Sequence, residues 1–129
     1  SYLYNDIEPL PRDRFYEDLS NPDMITLMAF DGGVAVGICE VEFKQTGNNP
    51  VMRPRRLAYI NDICVDENAR GRGIGRALYE RARAESQARD CDSIELMVWG
   101  FNENALKFYK ALGMDVRSYV MQDRLKLDD

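Results

Sequence analysis

The stretch NARGRGIGRAL, residues 68–78, packs three arginines and three glycines into eleven positions. An apolar run, LAYINDICV at 57–65, stands before it. After it, Ile74, Ala77, Leu78 and Ala82 keep helical spacing to about Arg89. A glycine-rich turn between a strand and a helix can aim backbone amides at an anion, and the helix start adds partial positive charge. Glycine removes the side chains that would block the approach. Arg70, Arg72 and Arg76 add formal charge. Residues 70–76 therefore read as a site for a polyanion such as a pyrophosphate, or as a turn with solvated arginines. Two phosphate motifs fail. A Walker A loop ends in Gly-Lys-Ser/Thr, which is absent here, and Arg76 or Leu78 occupies the last glycine place of a dinucleotide fingerprint.

Other chemistry is bounded by what the chain lacks. It has no histidine, which excludes Ser-His-Asp and Cys-His catalysis by this chain alone and removes the usual zinc patterns. No metal site is expected. Cys39, Cys64 and Cys91 are odd in number and widely spaced, and read as reduced thiols. Cys64 reads as a small buried residue, with no histidine to activate it for an acyl-cysteine intermediate. The formal charge of -5 and pI near 4.8 argue against a general nucleic-acid binder. No 18-residue apolar run predicts a membrane span, and SYLYNDIEPL does not resemble a signal peptide. The expected location is cytoplasmic, with neither nucleic acid nor membrane as partner.

The 129 residues point to one domain, 1–129, with 45% hydrophobic content to build a core. Proline flanks predict a short helix over 12–19. Strands are expected at 24–30 and 34–43, joined by Asp31-Gly32-Gly33 as hairpin chemistry. Val41 and Phe43 alternate there with Glu40 and Glu42. Residues 44–56 read as a polar loop, and 57–65 as the next strand. Strand 93–99 follows the glycine-loop helix. NENALKFYKALG, 102–113, then reads as a helix with Asn102 as N-cap and Gly113 as the stop. Residues 114–125 close the chain with strand character.

RGRGIG, 70–75, fits R/Q-x-x-G-x-G/A between a strand and a helix. Downstream, NENALKFYKALGM, 102–114, resembles N-x-x-A-x-x-x-Y-x-x-x-G-F, with Met114 in place of the usual Phe. Together, in this order, the two segments resemble the GCN5-related N-acetyltransferases, the GNAT superfamily, over roughly residues 24–125. The resemblance implies an α/β (α+β) fold: a mixed, mostly antiparallel central sheet with a splayed parallel strand pair, flanked by helices (the acyl-CoA N-acyltransferase fold). It implies acetyl-CoA as co-substrate and a primary amine as acceptor.

The same resemblance implies roles. Backbone groups of Ile63, Cys64 and Val65 would pair with the pantetheine arm between strands 57–65 and 93–99. The amides of Arg70, Gly71, Arg72, Gly73, Ile74, Gly75 and Arg76 would take the pyrophosphate. Asn102 resembles the residue whose side chain touches the arm, a role compatible with capping. Tyr109 matches the tyrosine that protonates the leaving thiolate. Its alternative is a core aromatic beside Phe108. The positions that often carry the base match Tyr59 and Asn61; Asn61 cannot be a base but can position a water relay. Strand alternation turns Asp62 to the other face. Glu40 and Glu95 are further candidates, each also readable as structural. Arg53, Arg55 and Arg56 read as a basic cluster before the strand, in a solvated loop or in contact with the 3′-phosphate or an acidic substrate.

Family members usually open with a strand and a helix pair. Only 23 residues precede Met24 here, and SYLYNDI makes a poor strand. A missing first strand would leave 24–30 as a sheet edge that favours pairing with a second copy, a homodimer. The acceptor class stays open among amino acid, polyamine, antibiotic, peptide N-terminus and lysine. Two other functions stand beside the enzyme: a non-catalytic acyl-CoA-binding regulatory module, and a nucleotide-binding or interaction domain that uses the loop for another anion.

Overall fold

The computed structural model describes residues 15–18, 20–47 and 54–126. By its internal contacts the chain divides into two units, residues 1–97 and 98–129. The first holds a five-stranded sheet in the order β1-β2-β3-β4-β5. Its strands are β1 (Phe15–Asp18), β2 (Met24–Asp31), β3 (Val34–Thr46), β4 (Arg55–Val65) and β5 (Ser93–Glu95). β1 to β4 pair antiparallel in sequence order, and β4 pairs parallel with β5. One long helix, α1 (Ile74–Ala88), packs on the sheet. The second unit carries α2 (Glu103–Ala111).

The first strand corrects the expectation for 12–19. Phe15–Asp18 pairs with Thr26–Ala29, so it is strand rather than helix, and β2 lies inside the sheet. The expected uncovered edge at 24–30 is therefore absent. SYLYNDI and Arg53 lie outside the described residues. The supposed loop after β3 is shorter than expected. β3 runs on to Thr46 and β4 starts at Arg55, where the two strands still pair.

The β2–β3 hairpin turns as Asp-Gly-Gly predicts. Gly32 and Gly33 have φ of 59° and 82°, the left-handed pair a two-residue hairpin turn demands. Alternation then sends Ile25, Leu27, Cys39 and Val41 to one face, all fully buried. A bulge opposite Ala29 and Phe30 lets two consecutive β3 residues, Val36 and Gly37, face inward. α1 covers this face with Ile74, Leu78 and Ala82, each at most 2% exposed.

Two contacts fix where α1 lies. At its start, a Cβ on Gly37 would stand 2.9 Å from Leu78 Cδ1 and 3.1 Å from Ile74 Cγ2, so the missing side chain sets how closely helix meets strand. At its end, the Arg89 guanidinium lies 4.2 Å over the Phe43 ring, and Nη1 donates to Pro22 O at 2.9 Å. The helix stops in a Schellman turn. Asp90 takes φ 61°, Asp90 N–H donates to Gln87 O, and Cys91 N–H donates to Ser86 O.

In the second unit, Asn102 caps α2 by accepting from Ala105 N–H at 3.1 Å. Gly113, φ 99°, ends it: Gly113 N–H donates to Lys110 O and Met114 N–H to Tyr109 O. Beyond this point the structure corrects the reading. Residues 114–126 contain no strand, and the strand expected at 93–99 stops at Glu95. Trp99 and Phe101 are exposed and stack on each other at 6.1 Å.

Candidate active site

β4 and β5 pair only over Leu57–Tyr59 and Ser93–Glu95. A polar clasp secures this stretch. Arg55 Nη2 donates to Ser93 Oγ at 2.9 Å and lies 3.6 Å from Glu95 Oε2. Arg56 N–H donates to Asp92 Oδ2, and Asp92 N–H to Arg56 O. Arg55 and Arg56 thus belong to β4 and hold the strand pair, where the sequence reading put them in a loop before the strand.

Past Tyr59 the ladder between β4 and β5 ends, while β4 continues to Val65. The hydrogen bond from Asp66 N–H to Val36 O sets the phase of the β3–β4 ladder. By alternation, Cys64 turns its backbone groups to Ile38 on β3, and Ile63 and Val65 turn theirs away, toward the β5 side. Arg70 Nε reaches back to Val65 O at 3.2 Å. Of the three residues expected to meet a pantetheine arm, Ile63 and Val65 present backbone there and Cys64 does not. The Cys64 side chain is exposed, which corrects its reading as buried.

A 3₁₀ turn, Glu67–Ala69, leads from β4 into the glycine loop. Gly71 and Gly73 have φ of 80° and 76°, conformations that side chains resist. Gly73 is the N-cap of α1 and supplies no side-chain cap. The amides of the first turn, at Ile74, Gly75 and Arg76, are those a helix cannot bond within itself. Ile74 contributes backbone only, because its side chain is 2% exposed in the core. The arginines differ from expectation. Arg72 Nη1 pairs with Asp31 Oδ2 at 2.8 Å, Arg76 Nε lies 3.6 Å from Glu80 Oε2, and Arg70 holds Val65. All three make contacts within the chain.

On the sheet face away from α1, β4 carries a second departure from regular pairing. Glu40 opposes Asp62 while Val41 opposes Ile60, which leaves Asn61 as the extra residue of a β-bulge. The bulge resets the alternation, so Asp62 shares a face with Glu40, contrary to the reading that turned it away. Asn61 is exposed, and its Nδ2 donates to Glu40 Oε1 at 3.2 Å and to Glu42 Oε1 at 3.4 Å. Lys44 lies 3.9 Å from Glu42 and 4.8 Å from the centroid of the Tyr59 ring opposite. Glu42 is the residue the sequence missed; its i, i+2 spacing from Glu40 in a strand was the available signal. Glu95, the other acid considered, belongs to the Arg55 clasp.

Tyr109 stands in the last turn of α2, edge-on to Phe108 with ring centroids 5.2 Å apart. Cys39 is a different kind of group. Burial, with Asp62 and Glu40 adding to it, pushes its thiol up from 9.0 to about 12, which makes it an inert core residue. Among the described residues no cluster of His, Cys, Asp or Glu is arranged to hold a metal, and no helix is long and apolar enough to cross a membrane.

The geometry has counterparts among known proteins. A mutant of the BH1408 protein from Bacillus halodurans superposes with a TM-score of 0.78 at 34% identity, covering 84% of this chain and 69% of that one. An aminoglycoside N-acetyltransferase crystallised with CoA shares the fold at a TM-score of 0.71, with 19% identity over 84% of this chain and 81% of its own. An uncharacterised N-acetyltransferase of Methanocaldococcus jannaschii is 36% identical over 92 residues, 64% of this chain and 40% of the relative. A thialysine N-epsilon-acetyltransferase of Bos taurus is 34% identical over 58 residues, 45% of this chain and 34% of the relative. The chain spans less than half the length of the curated relatives it matches. The acetyltransferase (GNAT) family model matches residues 1–114, and the chain belongs to that family.

Proposed function

We propose that the protein is an N-acetyltransferase that moves an acetyl group from acetyl-CoA to a primary amine by direct attack. The observation that carries this reading is the loop. Two left-handed glycines, Gly71 and Gly73, lead into an α1 start without a side-chain cap, directly after a β4 end that β5 does not cover. This arrangement supports a reading in which acetyl-CoA binds along the end of β4 and the loop. Amides of residues 70–76 would hold the pyrophosphate, and outward backbone groups of Ile63 and Val65 would hold the pantetheine arm. The Asn102 carboxamide, whose oxygen already caps α2, would offer its nitrogen to the arm. Acetyl-CoA supplies an acetyl group activated as a thioester.

The rest of the chemistry is proton management. An amine arrives protonated and attacks only after losing a proton. Glu40 and Glu42, spanned by the Asn61 amide, are the carboxylates we assign to accept it, directly or through a water held by Asn61. As the new N–C bond forms and the C–S bond breaks, the nitrogen releases its second proton to solvent and Tyr109 Oη donates a proton at the sulfur, to be reprotonated from solvent. The amine as acceptor is consistent with the names of the relatives, whose acceptors differ among themselves.

Two measurements test the reading. Isothermal titration with acetyl-CoA is expected to show one site per chain. Thiol release with a panel of primary amines is expected to exceed hydrolysis for at least one acceptor class. Binding without amine-dependent release across the panel would make the protein a regulatory acyl-CoA-binding module instead.

A further inference from the structure

The glycine loop is a poor place to store order. Gly71 and Gly73 allow its conformation, but glycine also has the most freedom to lose when that conformation is held. Between them stands one side chain, Arg72. Its guanidinium reaches 2.8 Å to the Asp31 carboxylate, 41 positions earlier in the chain, at the β2–β3 turn. That turn is a tight two-residue hairpin: Asp31 pairs with Val34 across Gly32 and Gly33, both left-handed. Nearby, α1 rests its first turn on Gly37 through Ile74. The loop is thus fastened on one side through Ile74 to the β3 backbone and on the other through Arg72 to the hairpin.

We infer that Asp31 is a positioning residue for the anion-binding loop: through Arg72 it holds the backbone of residues 71–73 with its amides presented. The inference rests on the proposed acetyl-CoA site. The pair's exposure bears on the choice of role. Asp31 is 34% exposed and Arg72 36%, so solvent screens the ion pair and it contributes little to global stability. Its effect is local, on the segment between two left-handed glycines. A carboxylate beside a phosphate site would otherwise be unfavourable; here its charge is matched by Arg72. The loop therefore binds its anion mainly by backbone, and Arg72 serves the loop rather than the phosphate.

The opposite arrangement makes an opposite prediction, which gives a clean test. If Arg72 is itself a phosphate ligand, then Asp31 competes for it, and Asp31→Asn should tighten acetyl-CoA binding. On our assignment, Asp31→Asn and Arg72→Gln each raise the Kd and KM for acetyl-CoA about fivefold, the scale of one exposed ion pair, with kcat unchanged. The double variant is no worse than either single, because both remove the same contact. Asp31→Glu, which keeps the charge, lies between Asp31→Asn and the natural protein. In the ligand-free protein, amide hydrogen exchange at residues 71–76 speeds up in Asp31→Asn while the core of α1 stays protected. Unchanged or tighter binding in Asp31→Asn, or unchanged exchange, overturns the assignment. Failure of the natural protein to bind acetyl-CoA would instead overturn the proposed function, and the exchange measurement would still decide whether Asp31 orders the loop.

Discussion

Replacing Gly37 with alanine tests how the fold places the loop. The new Cβ would meet Leu78 Cδ1 at 2.9 Å and Ile74 Cγ2 at 3.1 Å, with Cys64 O at 3.4 Å. Carbon–carbon contacts settle near about 3.5–4.0 Å, so the two methyls must each retreat by roughly 0.4–0.6 Å or more. Leu78 is the flexible partner, but it is fully buried, and protein interiors are close-packed. Overpacking of this kind costs about 1–3 kcal/mol. Alanine returns roughly 0.4–1 kcal/mol by restricting the unfolded chain, since the Gly37 backbone is not in the left-handed region. The net expectation is a loss of about 1–2 kcal/mol, a fall in Tm of about 5 °C for a chain of this size. Thermal melts of Gly37→Ala, Leu78→Ala and the pair would measure it. Leu78→Ala alone leaves a cavity and costs about 2–5 kcal/mol. In the pair the added methyl occupies part of that cavity, so the double variant should be more stable than the sum of the singles predicts. Acetyl-CoA affinity should also fall in Gly37→Ala, because the first turn of α1 shifts with Ile74. An unchanged Tm, or strict additivity in the double variant, would refute close packing at Gly37 as the determinant of the helix position.

Gly73→Val places a β-branched residue at φ 76° and a side chain in the path of the phosphate; acetyl-CoA affinity measured by titration should fall far more than Tm. Tyr109→Phe removes only a proton donor, so turnover should drop roughly 10²- to 10⁴-fold with acetyl-CoA binding little changed, and less for acyl donors with a more acidic leaving thiol. Equal turnover, with chemistry shown to be rate-limiting, would take Tyr109 out of the mechanism. Thiol labelling of the native protein should modify Cys64 and spare Cys39 until unfolding. The buried Cys39 also sets a pH dependence. Its thiol stays protonated in the fold to about 12, whereas the unfolded thiol ionises near 9.0, so its contribution to stability is complete below pH 9 and is lost as pH rises toward 12. Denaturant melts of a Cys39→Ala variant should lose that alkaline slope.

Much of the site was legible because its signals are local. Asp31-Gly32-Gly33 specifies a tight hairpin by backbone conformation alone, and Asn102 and Gly113 bound α2 by bonds within a few residues. The glycine loop is visible for the same reason: left-handed φ at Gly71 and Gly73 is a property of single positions. Alternation placed Val41 in the core and Glu40 outside without knowledge of any partner strand. What the sequence could not decide depends on pairing between distant segments. Phe15–Asp18 has proline flanks that suit a helix, yet backbone hydrogen bonds to β2 make it a strand, a choice no local propensity records. The bulge at Asn61 arises from register against β3; it brings Asp62 to the face of Glu40 and puts the Asn61 amide between Glu40 and Glu42. The arginines of the loop show the same division. Their charge and spacing are read directly from the chain, but whether Arg72 faces an anion or a carboxylate depends on where the β2–β3 turn comes to rest, and the packing of α1 over Gly37 brings Asp31 to it.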